Sequence, residues 1–264
     1  MKVTTDLHIH TELSECAKPG ATLENYLVKC REYGITTMGI ADHTWAGELN
    51  RDCGWANWYK RQTLEKILNL RNELPETGDV RVLIGCEVEY LGDGVVGMTD
   101  EARVLFDFVL LPASHFHQWG FTVPEDFKNS SVQTVQDLLR KRFLEVCNIK
   151  CITGICHPFI PFGFFDHEAE IISGISDEQF TECFEAAAEG GLSIEIHHHA
   201  ACSKIALDGK FSSEYVRMLS IAKKCGCVFY FGSDAHHPDK LKNYDHMGAF
   251  AAACGITEAD LLVI

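Results

Sequence analysis

Several things are missing from this 264-residue chain, and each absence removes a class of function. Basic charge is short: 23 Lys and Arg against 38 Asp and Glu leave a net charge of -15 with histidine neutral. Long nucleic acids and anionic membrane surfaces attract an excess of positive charge, so neither is an expected partner. A small anionic substrate is not excluded, because bound divalent cations would reverse the local field. No apolar run reaches bilayer length, and the stretch 104–113 is broken by Asp107. The start, Met1-Lys2-Val3-Thr4-Thr5-Asp6, has no apolar signal core. The expectation is a soluble, cytoplasmic protein. There is no Cys-x-x-Cys pair and no Gly-x-x-x-x-Gly-Lys loop. Zinc knuckles and a phosphate loop of that kind are therefore unsupported. No linker, low-complexity segment or repeat divides the chain, so one domain is expected over 1–264, and the residues carry no signal for an oligomeric state.

What is present is a large apolar fraction, 46%, enough for a sizeable core. The 12 cysteines read as reduced, mostly buried thiols acting as small hydrophobes. Runs rich in β-branched and aromatic residues predict strands over 3–9, 36–41, 81–89, 108–111, 151–155, 193–196 and 228–232. Between them, Leu23, Tyr26, Leu27, Cys30 and Tyr33 recur at helical spacing, with Thr22 as N-cap and Gly34 as stop. Further helical patterns run through Val132–Val146, around Phe180–Ala187, around Tyr215–Ala222, and over 57–74. Strands alternating with helices imply a parallel sheet. Seven such strands predict an α/β fold of the TIM-like barrel kind with one unit fewer than eight, an open doubly wound sheet being the alternative.

The 13 histidines are the compositional oddity, and their placement carries the functional reading. His8 and His10 end the first predicted strand, Asp42 and His43 the second, Glu87 and Glu89 the third. His115 and His117 follow the fourth, His157 the fifth, Glu195 and His197 close the sixth, and Asp234 and His236 follow the seventh. In a parallel barrel all strand C-termini open on one face, where active sites form. Imidazole and carboxylate are ligands for Zn, Mn or Fe. Alternation in His8-Ile9-His10 puts both rings on one side, and a carboxylate such as Glu87 can bridge two cations. A lone His-x-His or Asp-x-His is weak evidence, and Glu87 alone could be a solvated strand end; the joint placement at seven strand ends is what points to metal. His117, His167, His237 and His246 read as surface or supporting positions. Of His197-His198-His199, His197 is the one expected to enter the pocket.

The ordered set Asp6-Leu7-His8-Ile9-His10-Thr11, Ala41-Asp42-His43, Gly85-Cys86-Glu87, Ser114-His115, Cys156-His157-Pro158 and Ser233-Asp234-Ala235-His236 resembles the polymerase and histidinol phosphatase (PHP) family, over about residues 6 to 238. The resemblance implies a distorted seven-stranded (β/α) barrel with two or three divalent metal ions. His8, His10, Glu87 and Asp234 would hold the first. Glu87, His115 and His157 would hold the second. His43, His236 and a residue after the first strand would hold the third. That residue is a histidine in many members and is Cys16 here; a thiolate can also bind zinc. His197 stands where related phosphatases tend to carry Asn.

The expected reaction is hydrolysis of a small phosphomonoester, of which histidinol phosphate is a natural candidate, by a metal-bridged hydroxide. Besides Glu87, Asp42 and His236 are the candidates to protonate the leaving oxygen or orient a ligand. In the loop after the second strand, Arg51 can grip an anion, and Trp45, Trp55 and Trp58 can wall the leaving group or simply pack the loop. The apolar loop 158–165 is expected to cap the mouth. The competing readings are a phosphodiesterase or exonuclease on short nucleotides, and a non-catalytic metal-binding domain.

Overall fold

The computed structural model describes residues 1–203 and 210–264. In chain order the elements are β1 (Thr5–Ile9), α1 (Leu23–Tyr33), β2 (Thr37–Ile40), α2 (Gly54–Tyr59), α3 (Leu64–Asn69), β3 (Arg81–Ile84), β4 (Cys86–Glu87), β5 (Tyr90–Gly92), β6 (Val95–Val96), α4 (Asp100–Arg103), β7 (Val109–Pro112), α5 (Val132–Val146), β8 (Gly154–Cys156), α6 (Glu168–Ser173), α7 (Asp177–Glu189), β9 (Ser193–His197), α8 (His198–Cys202), α9 (Ser213–Lys224), β10 (Val228–Gly232) and α10 (Tyr244–Ala253). The fold is α/β with parallel sheets. One sheet runs β1-β2-β3, the other β10-β9-β8-β7-β4, and β5-β6 is a small antiparallel pair.

Each of the seven expected strand regions carries a parallel strand, but the ladder forms two sheets, not one closed ring. One discontinuity lies at Gly85, which splits the single strand expected over 81–89. There the pairing partner changes from β2 to β7. A Cβ on Gly85 would lie 2.4 Å from the Phe108 ring, so glycine lets that ring cross the break. At the other discontinuity β1 meets the end of β10 through separate bonds: Asp234 N–H to His8 O at 2.8 Å and His10 N–H to Ala235 O at 2.9 Å. Leu7, Ala41, Leu83, Phe108, Leu110, Cys156 and Tyr230, drawn from both sheets, bury themselves together.

Local signals explain the helices. Thr22 accepts from the Asn25 amide at the start of α1, and Gly34 ends it in the left-handed region at φ 73°. Ser176 and Gln179 form a reciprocal cap on α7. The helix expected over 57–74 is broken in two. The Gln62 carbonyl is taken by the Trp45 amide at 3.2 Å and the Thr44 hydroxyl at 3.1 Å, so it is drawn into the loop after β2. All twelve cysteines are free thiols, and seven of them are buried. Among the described residues no helix is long and apolar enough to cross a membrane.

Candidate metal centre

Because the strands of each sheet are parallel, their C-terminal ends bring the polar residues together. His8 lies in β1 and His10 directly follows it, while Glu87 comes from β4 and His197 from β9. His43, His115, His157, Asp234 and His236 follow the ends of β2, β7, β8 and β10. His8, His10, Glu87 and His157 are almost wholly buried, an arrangement that is costly for polar groups unless each is satisfied. His157 and Asp234 sit at φ 32° and 53°, left-handed values unusual for residues with a Cβ.

Four donor atoms form a cage. His8 Nε2 lies 3.1 Å from His10 Nε2, 3.3 Å from Glu87 Oε2 and 3.6 Å from Asp234 Oδ1. His10 Nε2 lies 3.4 Å from Glu87 Oε2 and 3.1 Å from Asp234 Oδ1. Ligands of a zinc ion with bonds of about 2.0–2.1 Å lie about 3.3 Å apart, so these five separations are of a length that suits a cation held by His8 and His10 with Glu87 or Asp234. The other oxygen of Glu87, Oε1, faces His157 Nε2 at 3.0 Å and His115 Nε2 at 3.7 Å. Glu87 is thus placed to bridge two positions. A third group, His10, Cys16, His43 and His236, has its ligand atoms within 4.8 Å of one another.

The surroundings orient these rings. His8 Nδ1 meets Glu195 Oε1 at 2.7 Å, His115 Nδ1 meets Glu89 Oε2 at 2.8 Å, and His157 Nδ1 meets Ser114 Oγ at 3.1 Å. His10 Nδ1 meets Ser14 Oγ at 3.3 Å, and His236 Nδ1 donates to the Asp234 carbonyl at 2.9 Å. With Nδ1 carrying the proton, each Nε2 offers its lone pair inward, the usual wiring of a metal-binding histidine. Burial raises the Glu87 and Asp234 carboxyls, but the facing histidines outweigh it and hold both well below their usual range. Burial lowers the His115 pKa, yet Glu89 and then Glu87 bring it up to about 9. His10 is pushed down to about 4 by burial and by His236. Adjacent buried groups with opposed shifts are a mark of functional sites.

The remaining predicted residues divide. Asp42 is buried and bound by Thr11 N–H at 2.7 Å, the Thr11 hydroxyl at 2.5 Å and the Ser14 hydroxyl at 2.7 Å. It therefore holds the loop that presents Ser14 to His10. Burial lifts its pKa to about 6. Arg51 is exposed and donates to the Phe121 carbonyl, with none of the cluster residues among its described partners. Trp45 packs on Tyr59 and Phe121 in a separate apolar cluster. Trp58, whose ring centroid is 5.2 Å from that of His43, comes nearer the cluster. His117, expected at a surface or supporting position, is half-buried against His115 and Phe162, and burial drives its pKa down to about 3. His197 is buried and lines a cavity of about 810 Å³ with Asp234, His236, Phe162 and Phe165, two aromatics of the expected capping loop. That cavity also holds Glu168, His199, Lys240 and Lys242, which no motif flagged. Ser14 was equally silent, its only signal being its place four residues after His10.

A family model described as the PHP domain matches residues 6–199. Among solved structures, a histidinol phosphate phosphatase from Lactococcus lactis, complexed with zinc, L-histidinol and phosphate, is 15% identical with a TM-score of 0.63. The match covers 96% of this chain and 94% of that one. A protein from Listeria monocytogenes assigned as a histidinol phosphatase is 15% identical with a TM-score of 0.65, covering 90% of this chain and 97% of its own. At that identity the likeness is one of fold. A search of curated proteins finds no match.

Proposed function

The chain belongs to the PHP domain family and is a metal-dependent hydrolase of phosphate esters; on that premise we propose that its substrate is a small phosphomonoester. The observation that carries this reading is the cage of His8, His10, Glu87 and Asp234, whose edges suit a cation and whose rings are all turned to donate lone pairs. Glu87 would be shared with a second cation held by His115 and His157, and Cys16, His43 and His236 would hold a third. Zinc, manganese or iron suits this donor set. Such cations would supply positive charge for phosphoryl oxygens and a water acidic enough to attack at neutral pH.

The protein's own residues do the rest. Glu195, Glu89, Ser14 and Ser114 hold the rings, and Asp42 acts through Ser14 as a positioning residue. His236, half-buried at the cavity, would either hold a cation at the third position through Nε2 or, with that position empty, protonate the leaving oxygen. A cavity of about 810 Å³ suits a small leaving group. Phe162 and Phe165 offer it aromatic walls and Glu168 a carboxylate, features compatible with a cationic leaving group such as the L-histidinol bound in the Lactococcus protein. We read the two sheets, joined by the bonds between β1 and the end of β10, as a distorted seven-stranded barrel that aims all these groups at one mouth.

A second reading rests on Lys240 and Lys242, which line the same cavity and form no ion pair among the described residues. They favour an anionic leaving group, as in a short nucleotide diester. Metal-loaded protein assayed on matched monoester and diester panels decides. Phosphate release from monoesters supports the first reading. Cleavage of diesters alone supports the second, and no turnover with any of the three metals removes both.

A further inference from the structure

The histidines of the mouth are wired in two opposite senses. His8, His10, His115, His157 and His236 each turn Nδ1 toward an acceptor, which leaves Nε2 as a lone-pair donor. His197 is the reverse. Its Nδ1 accepts from the backbone N–H of His199 at 3.0 Å, capping the start of α8. A backbone amide can only donate, so Nδ1 holds a lone pair and the neutral ring carries its proton on Nε2. That Nε2 is buried and has no hydrogen-bond partner among the described residues. The nearest carboxylate oxygen, Asp234 Oδ2, is 3.6 Å away, longer than a hydrogen bond yet close enough to help hold that carboxyl in its charged form. A buried donor without a partner is rare in folded proteins and calls for an explanation. The residue is 5% exposed and borders the cavity that Asp234 and His236 also line.

We infer that His197 is a fixed N–H donor to a phosphoryl oxygen of the substrate and not a metal ligand, an inference that rests on the phosphoesterase reading above. A ring locked in this tautomer has no lone pair for a cation at Nε2. It has a buried proton in the wall of the cavity, beside the cation cage. Charge on the transferring phosphoryl oxygens meets such a donor without reorganisation, and a donor of this kind acts most strongly where the local dielectric is low. The wiring depends on the α8 cap, so β9 supplies the position and the backbone amide of His199 supplies the proton address.

The test compares wild type, His197→Asn and His197→Phe, each loaded with zinc or manganese, with His197→Ala in place of the Phe variant should that not fold. Three quantities are measured: metal content, affinity for inorganic phosphate by calorimetry, and kcat/KM on a monoester. All variants are expected to keep wild-type metal content. His197→Phe is expected to bind phosphate at least tenfold more weakly and to lose about 10²-fold in kcat/KM, as removal of a preorganised donor does. His197→Asn, whose amide can donate, recovers the larger part of both. Loss of metal from the Phe or Ala variant, or unchanged phosphate affinity in it, overturns the inference while leaving the hydrolase reading standing. A wild type that neither hydrolyses monoesters nor binds phosphate removes both.

Discussion

The Nε2 atoms of His8 and His10 face each other at 3.1 Å. Their Nδ1 atoms are engaged by Glu195 and Ser14, so two lone pairs meet unless a proton or a cation lies between them. In the absence of metal His8 takes the proton. Burial opposes this, but Glu195, Asp234 and Glu87 raise its pKa well above the ordinary value, while His10 is pushed down to about 4. A cation resolves the contact better, because both lone pairs then bond. Chelation should therefore lower the thermal midpoint, and zinc or manganese should restore it. At one hundred times Kd the expected stabilisation is about 2.7 kcal/mol, readable by scanning calorimetry. A midpoint indifferent to chelator and metal would contradict the cage.

Glu87 is the carboxylate shared by both positions, with Oε2 toward His8 and Oε1 toward His157. Glu87→Gln keeps the volume and removes the charge and one lone-pair oxygen. Metal stoichiometry should fall and kcat should drop by at least about 10²-fold, consistent with loss of metal-supplied charge stabilisation. Elemental analysis beside a phosphate-release assay measures both. A variant with full metal and full turnover would mean that Glu87 does not bridge.

His115 gives a pH signature. Its metal-free pKa is about 9: burial lowers it, and Glu89 followed by Glu87 more than reverses that. The sign follows from a folded-state value above the unfolded one. The pair's contribution to metal-free stability is complete below about 6.5 and disappears as pH rises through about 9. Metal binding at Nε2 must expel that proton, so loading near pH 8 should release it and affinity should weaken toward acid. In Glu89→Gln the largest raising influence is gone. Proton release near pH 8, followed with an indicator in weak buffer, should fall by up to one per site. Metal affinity should drop about 10- to 100-fold, as when other partners of ligating histidines are removed.

Cys16 tests the third position. Its ligand atom lies within 4.8 Å of those of His10, His43 and His236, although the residue as a whole is exposed. Burial of the thiol, then Glu87, Asp234 and Asp42, pushes its pKa up, so the thiolate forms there only with a cation's help. Cys16→Ala should weaken or empty one metal position and spare the others. Cys16→His should retain it. Equal stoichiometry and affinity in the Ala variant would assign the thiol no ligating part.

The cluster was legible because its members are chemically rare and fall at regular strand ends. His8-Ile9-His10 needs only alternation to be read, and Glu87 needs only the apolar run before it. The support was less legible. Ser14 and Ser114 are ordinary residues whose importance lies in which ring nitrogen they face. Asp42 read as a group that either protonates the leaving oxygen or orients a ligand, and its hydrogen bonds to Thr11 and Ser14 favour the second. Trp45 and Arg51 lie close to the site in sequence, but long loops follow their own packing, and Tyr59 and Phe121 hold that tryptophan elsewhere. The wiring of His197 depends on a backbone amide two residues on, which no residue type advertises. The break at Gly85 was invisible for a similar reason, since the strand's apolar character continues across it.

That break makes the final prediction. Phe108 is fully buried, and its ring approaches the backbone at both Gly39 and Gly85, where added Cβ atoms would lie 2.8 Å and 2.4 Å away. Gly85 is not at positive φ, so Gly85→Ala is opposed by space and not by backbone conformation. The ring must shift inside a cluster that also holds Leu7, Leu83 and Tyr230, and overpacking of this kind costs about 1–3 kcal/mol. Glu87 begins two residues later, so a displaced β4 would also move the bridging carboxylate. Gly85→Ala should therefore lower both the urea midpoint and metal affinity. Phe108→Leu alone should destabilise by leaving unfilled volume, yet the double variant should be less destabilised than the two single losses added together. Strict additivity would show that the Phe108 ring does not set the limit at Gly85, and that the exchange of partners between β3 and β4 is held by the backbone alone.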